Sequence, residues 1–420
     1  MKVLCISCIF LLMATFPARA TEELIDKIAE DPRVERGLDW IQKNSDWVTN
    51  QQIKINEIPA PEFYEEKRGE YLKAIFEMYG FRVRTDAIGN VIGERPGDAT
   101  KEEGKKVVLF AAHLDTVFPE GTDVKVRREG DRLMAPGISD NAAGLAALAG
   151  LARALYESRV KTERTIVLAG DVGEEGEGNL RGIRALVEAY SGRLAAVIAV
   201  DGASTEHITT QGIASRRFEV AITGPGGHSW SDFGEPNPIS AVARGIVKFS
   251  AVKIPETPRT SFNFGVIEGG TSVNSIPTSA AVKIDLRSED EAQLARLEAA
   301  LREAMQAGLK EEMAAAKTND ALGITFRPLG ARPAGKLPDD APMLDTVRAV
   351  DRYLGNRSRL ERSSTDANIP LSVGIPAVSL GGGGTGGGSH TPAEWYNPQG
   401  RSLGLKRLFL AGVALAGLSE

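Results

Sequence analysis

Six residues of this chain have the types and placement to hold a metal and move a proton: His113, Asp140, Glu174, Glu175, Asp201 and His390. His113-Leu114-Asp115 closes the apolar run Val107 to Ala112. His and Asp two apart on a strand point to the same side. Imidazole is a good zinc ligand, and a nearby carboxylate can fix its tautomer by holding the second nitrogen. His113 therefore reads as a metal ligand and Asp115 as the residue that orients it. Taken alone, the pair also reads as two satisfied polar neighbours.

The other positions add weight. Ser139-Asp140-Asn141 leads into AAGLAALAGLARALYE, a strong helix that Ser139 or Asp140 would cap. Asp140 can equally be a carboxylate aimed from a helix N-terminus towards the strand ends. The apolar run RTIVLA ends in the loop GDVGEEGEG. Of adjacent carboxylates there, one can bind metal while its neighbour takes a proton from water. AAVIAV ends in Asp201, and PAVSL ends in a glycine run followed by Ser389-His390. That glycine run lacks the Gly-Lys-Ser/Thr of a phosphate loop, which excludes nucleotide binding there. Its glycines read as room for backbone beside a crowded site.

Short, apolar, β-branched runs alternating with helices predict an α/β fold: an open, mostly parallel sheet with helices on both faces. In such sheets ligands gather at the carboxyl ends of the strands. Between about 215 and 328 the pattern changes to β-α-β-β-α-β, an α+β ferredoxin-like module inserted into the first domain. The expected organisation is a leader over 1–20, a first part over 21–214, the inserted domain over 215–328 and a second part over 329–420.

Residues 1–20 carry Lys2, an apolar stretch from Val3 to Phe16 and Ala18-Arg19-Ala20. This reads as an export signal cleaved after Ala20, which places the mature chain in the periplasm or outside the cell. Both cysteines, Cys5 and Cys8, fall within it, so the mature chain has neither disulfides nor thiolate ligands. Its metal ligands must be His, Asp and Glu. The formal charge of −6 becomes −8 once Lys2 and Arg19 are gone, which argues against a nucleic-acid partner. No later stretch is long and apolar enough to span a membrane. Of the four histidines, His207 has no supporting context and reads as surface or structural.

The motifs HLDTV, SDNAAG, GEEGEG, VDG, GPGGHS, GGTSVNSIP, DLR and GGSHTPAE, in this order, resemble the zinc metallopeptidase family of glutamate carboxypeptidase, aminoacylase, acetylornithine deacetylase and peptidase T. Within this family the chain resembles a peptidase T-like exopeptidase. The resemblance covers nearly the whole mature chain. It implies a two-zinc catalytic domain, with Co2+ or Mn2+ as substitutes, and an inserted dimerisation (lid) domain, hence a homodimer. On this resemblance His113, Asp140 and Asp201 bind one metal, and Asp140, Glu175 and His390 bind the other. Some relatives have Glu where this chain has Asp201. The Asp140–Asn141 peptide resembles one that is cis in the family.

The resemblance also makes Glu174 the general base and acid, acting on a metal-bound hydroxide that attacks an amide carbonyl. His228 resembles a lid histidine that reaches the oxyanion from a partner subunit, and Asn274 and Arg287 resemble residues that hold substrate. The expected activity is cleavage of short peptides. The alternatives are removal of an acyl group from an N-acyl amino acid, or a catalytically inactive binding protein.

Overall fold

In a computed structural model of the chain the described residues are 16–98, 100 and 105–419. Most of the expected leader, including Cys5 and Cys8, lies outside them. Ala20 falls within the helix Phe16–Ala29; from Arg19 onward its buried side chains are Ile25, Ile28 and Ala29. Among the described residues no helix is long and apolar enough to cross a membrane.

The chain divides into two compact units, one of residues 1–211 and 336–420 and one of Gly212–Gly335. In the first unit, four parallel strands form the middle of a larger mixed sheet, in the order Thr165–Asp171, Val107–His113, Leu194–Val200 and Ala377–Leu380. Val107–His113 is buried along its whole length, as a strand covered on both faces must be. Arg82–Thr85 and Val91–Arg95 extend the sheet on the Thr165–Asp171 side as antiparallel strands. The helix Ala142–Ser158 is buried at almost every position. Its alanines and glycines allow this close approach, with Leu145, Leu148 and Leu155 filling the core.

The helix cap differs from the expectation. Asn141, not Ser139 or Asp140, caps Ala142–Ser158, its Oδ1 accepting from the Gly144 N–H at 3.0 Å. The same oxygen accepts from the Gly202 N–H, and Nδ2 donates to the Val200 carbonyl. Asn141 thus ties the start of this helix to the end of the neighbouring strand. Asp140 is left with its carboxylate uncommitted to capping.

The second unit is a four-stranded antiparallel sheet in the order Thr260–Gly269, Ser279–Ser288, Ala214–Thr223, Gly323–Arg332. Its helices Pro238–Ser250 and Glu291–Ala315 pack on each other and on the sheet. Buried and less buried positions alternate along Ser279–Ser288, as in a sheet covered on one face. Phe218, Ile284, Leu286, Leu301 and Met305 are part of its own core. This is the ferredoxin-like order of elements. The unit ends later than the expected 328, because the last strand runs on past Pro328 through a register shift. Proline is tolerated there because the strand lies at the sheet edge, where a bulge absorbs the missing N–H.

Candidate metal centre

The carboxyl ends of the four parallel strands carry the candidate residues. His113 closes one strand and Asp171 its neighbour, with Glu174 and Glu175 in the loop beyond. Asp201 follows Val200, and His390 lies in the glycine-rich segment after Leu380. One ligand atom each of His113, Asp140 and Glu175 all lie within 4.8 Å of one another. Asp140 stands between the two histidines. Its Oδ1 is 3.1 Å from His113 Nε2, and its Oδ2 is 3.3 Å from His390 Nε2. His390 Nε2 also lies 2.8 Å from Glu175 Oε1. The two oxygens of one carboxylate thus face two separate imidazoles, which is the disposition of a bridging ligand. The Asp140–Asn141 peptide is cis.

Asp115 works differently from the simplest expectation. The nearest partner of His113 Nδ1 is the Asp115 backbone carbonyl at 3.1 Å, with the carboxylate at 3.6 Å. The Asp115 carboxylate accepts from the N–H groups of Glu174 at 3.0 Å and Glu175 at 2.8 Å. It therefore fixes the loop that bears both glutamates, and its backbone sets the histidine. Beneath it, the fully buried Arg68 donates to the carbonyls of Ile58 and Leu114.

Several supporting groups had no assigned role in the sequence. Glu394 accepts from the N–H groups of Gly137, Ser139 and Asp140 at 2.8, 2.7 and 2.8 Å, and so holds the turn that presents Asp140. It sits in the GGSHTPAE motif, but its partners are more than 250 residues away. Glu62 accepts from the N–H groups of Glu177 and Gly178 and closes the far side of the glutamate loop. Gly176, at φ +44°, faces this carboxylate so closely that a Cβ there would collide with it. Asp171 and Asp366 are buried at the same end of the sheet, and among the described residues both Asp171 carboxylate oxygens and Asp366 Oδ1 have no hydrogen-bond partner. No motif pointed to Asp366.

The electrostatics are those of crowded carboxylates. Burial, with Asp140 nearby, pushes Asp201 up to about 8. Burial also pushes Asp171 up to about 7, and Asp366 well above the ordinary carboxylate range. Burial opposes the charge of Asp140 too, but hydrogen bonds from His113 and His390 outweigh it and hold that carboxyl well below its usual range. Orphaned buried oxygens and carboxyls whose ionisation is opposed by burial, gathered in one place, are what divalent cations would satisfy. With imidazole nitrogens and carboxylate oxygens as the only donors, the set fits zinc or a related cation.

His228, Asn274 and Arg287 all lie in the second unit. The structure brings the first two together. Gly227–His228 pairs with Ser275–Ile276, and the Ser229 N–H donates to the Asn274 carbonyl. His228 is exposed, and its Nδ1 accepts from the N–H groups of Trp230 and Ser231. This leaves the ring proton on Nε2, pointing a donor outward. Arg287 is not part of that cluster. It pairs with Ser215, whereas Ser279, eight residues earlier, pairs with Thr223 next to the His228 turn. At the usual strand rise the two ends are about 26 Å apart. Arg287 donates to Asp285. His207 is engaged by Arg359 at 3.0 Å and Glu361 at 3.2 Å.

The chain belongs to peptidase family M20/M25/M40, whose family model matches residues 109–409. It is 29% identical over 227 residues to carboxypeptidase G2 of Pseudomonas sp. (strain RS-16), covering 52% of this chain and 54% of that protein. It is 26% identical over 267 residues to the cytosol non-specific dipeptidase of Escherichia coli (strain K12), covering 56% of this chain and 52% of the dipeptidase. The chain thus spans about half the length of these curated relatives. The fold is that of aminopeptidase PepT from Bacillus cereus ATCC 10987, with a TM-score of 0.67 at 22% identity over 89% of this chain and 99% of that one.

Proposed function

We propose that this chain is an exported, metal-dependent exopeptidase that hydrolyses an amide bond of short peptides. The observation that carries the reading is the His113–Asp140–Glu175 cluster, with Glu174 beside it on a loop that Asp115 and Glu62 hold from two sides. Membership of the peptidase family supports it. His113, Asp140 and Asp201 would hold one zinc, and Asp140, Glu175 and His390 the other. When bound, the two cations supply Lewis acidity to the scissile carbonyl and lower the pKa of water towards neutrality.

Glu174 is the general base. It is 4% exposed, so its carboxylate works in a site of low dielectric. It takes one proton from the attacking water. Oxygen then bonds to the carbonyl carbon, the C–N bond breaks, and Glu174 returns the proton to the departing amine. The outward Nε2–H of His228 suits it to steady the oxyanion, and Asn274 and Arg287 to hold the rest of the substrate. Because His228 and Arg287 sit at opposite ends of one sheet, we assign them to one site through two copies of the chain. Export rests on the leader pattern of residues 1–20. Intact mass of the chain recovered from the periplasm of a Gram-negative host should begin at Thr21.

The test is hydrolysis of a panel of dipeptides, tripeptides and N-acyl amino acids by the metal-loaded chain, before and after chelation. Chelator-sensitive cleavage of peptides supports the reading. Cleavage confined to N-acyl amino acids replaces it with a deacylase, and no cleavage at all replaces it with a binding protein.

A further inference from the structure

Beside the metal cluster, within the first unit, is a cavity of about 230 Å³. It touches the centre on three sides. Asp201 lines it directly, Ser139 precedes Asp140, and Ser389 precedes His390. Its lining is unusual in what it offers. Ser139, Thr209 and Ser379 are 4, 7 and 5% exposed, and none of their hydroxyls is bonded within the described protein. Thr209 and Ser379 sit directly opposite each other on adjacent strands, so both side chains point to the same face. Gly386 approaches Ser139 Oγ so closely that a Cβ would collide with it, which keeps this wall polar and narrow.

Unspent hydroxyls at such depth are costly against an apolar occupant, because they would be desolvated without partners. An anion is disfavoured as well, because the lining holds neither lysine nor arginine. We infer that this cavity is a specificity subsite for a small, uncharged substrate side chain that both donates and accepts hydrogen bonds, a hydroxyl or a carboxamide. The inference deepens the exopeptidase reading and rests on it for the identity of the ligand as a peptide.

Thr and Val differ here by one hydroxyl at nearly constant shape. The experiment compares dipeptides that carry Thr or Val at either position, with Asp as an anionic control. Wild-type chain should show kcat/KM about tenfold higher for Thr than for Val at one of the two positions, with Asp slower than both. In the double variant Thr209→Val, Ser379→Ala the Thr:Val ratio should fall to near one, while metal content per chain stays the same. The same peptides titrated into metal-loaded Glu174→Gln chain read the cavity without turnover. Tighter binding of the Thr peptide, together with no hydrolysis by wild type, would keep the subsite and overturn the exopeptidase reading. Turnover with equal Thr and Val rates at both positions, or an unchanged ratio in the double variant, would overturn the subsite.

Discussion

At the scale of residues, the candidate site is held in place by carboxylates outside the His113–Asp140–Glu175 cluster. Glu394 spends both oxygens on the turn that presents Asp140, and Asp115 spends both on the loop that presents Glu174 and Glu175. Glu394→Gln keeps the volume but turns an amide N–H towards backbone N–H groups. Metal affinity should fall about 10–100-fold, as is usual when a partner that orients a ligand is lost. Titration with a competing chelator measures this, and wild-type affinity would show that the Asp140 turn holds itself. His113, Glu174 and Asp201 are legible because each ends or follows an apolar run, and Asp140 because it opens a strong helix. Glu394 is not, because its partners lie far off in the chain, and Asp366 is not, because no motif surrounds it.

At the scale of elements, one asparagine determines what Asp140 is free to do. Asn141 caps the central helix and also binds the Val200 carbonyl and the Gly202 N–H, so helix and strand end are registered through a single side chain. Asn141→Ala should cost about 1–2 kcal/mol for the cap alone. More is lost with the two contacts to the strand end. A lowered unfolding midpoint with a parallel loss of activity is the expected result in thermal denaturation. The sequence marked where this helix starts but not which of three capping residues serves it, since Ser, Asp and Asn all cap well. Strand ends proved equally hard to read. Pro328 looked like a terminus, yet an edge strand with a bulge passes through it.

At the scale of the molecule, the inserted unit was visible as a change from buried, continuous strands to alternating ones. What periodicity could not convey is the separation of His228 from Arg287 along one sheet. If each site draws these residues from two copies, His228→Ala and Arg287→Ala should each be nearly inactive alone. Mixing them under conditions that exchange subunits should restore about a quarter of wild-type activity, since half the dimers are mixed and each has one intact site. No recovery on mixing, with subunit exchange verified, would place both residues in a single copy or outside the site.

If the His113–Asp140–Glu175 cluster holds metal for amide hydrolysis with Glu174 as base, loss of the Glu174 carboxylate must stop turnover and leave the metal in place. The most direct measurement is metal per chain and peptide turnover on matched wild-type and Glu174→Gln protein beginning at Thr21. About two divalent ions are expected in both proteins. Chelator-sensitive turnover is expected in wild type, with the variant slower by roughly 10²–10⁴-fold. Undiminished turnover by Glu174→Gln, or turnover that survives complete removal of metal, would contradict these roles.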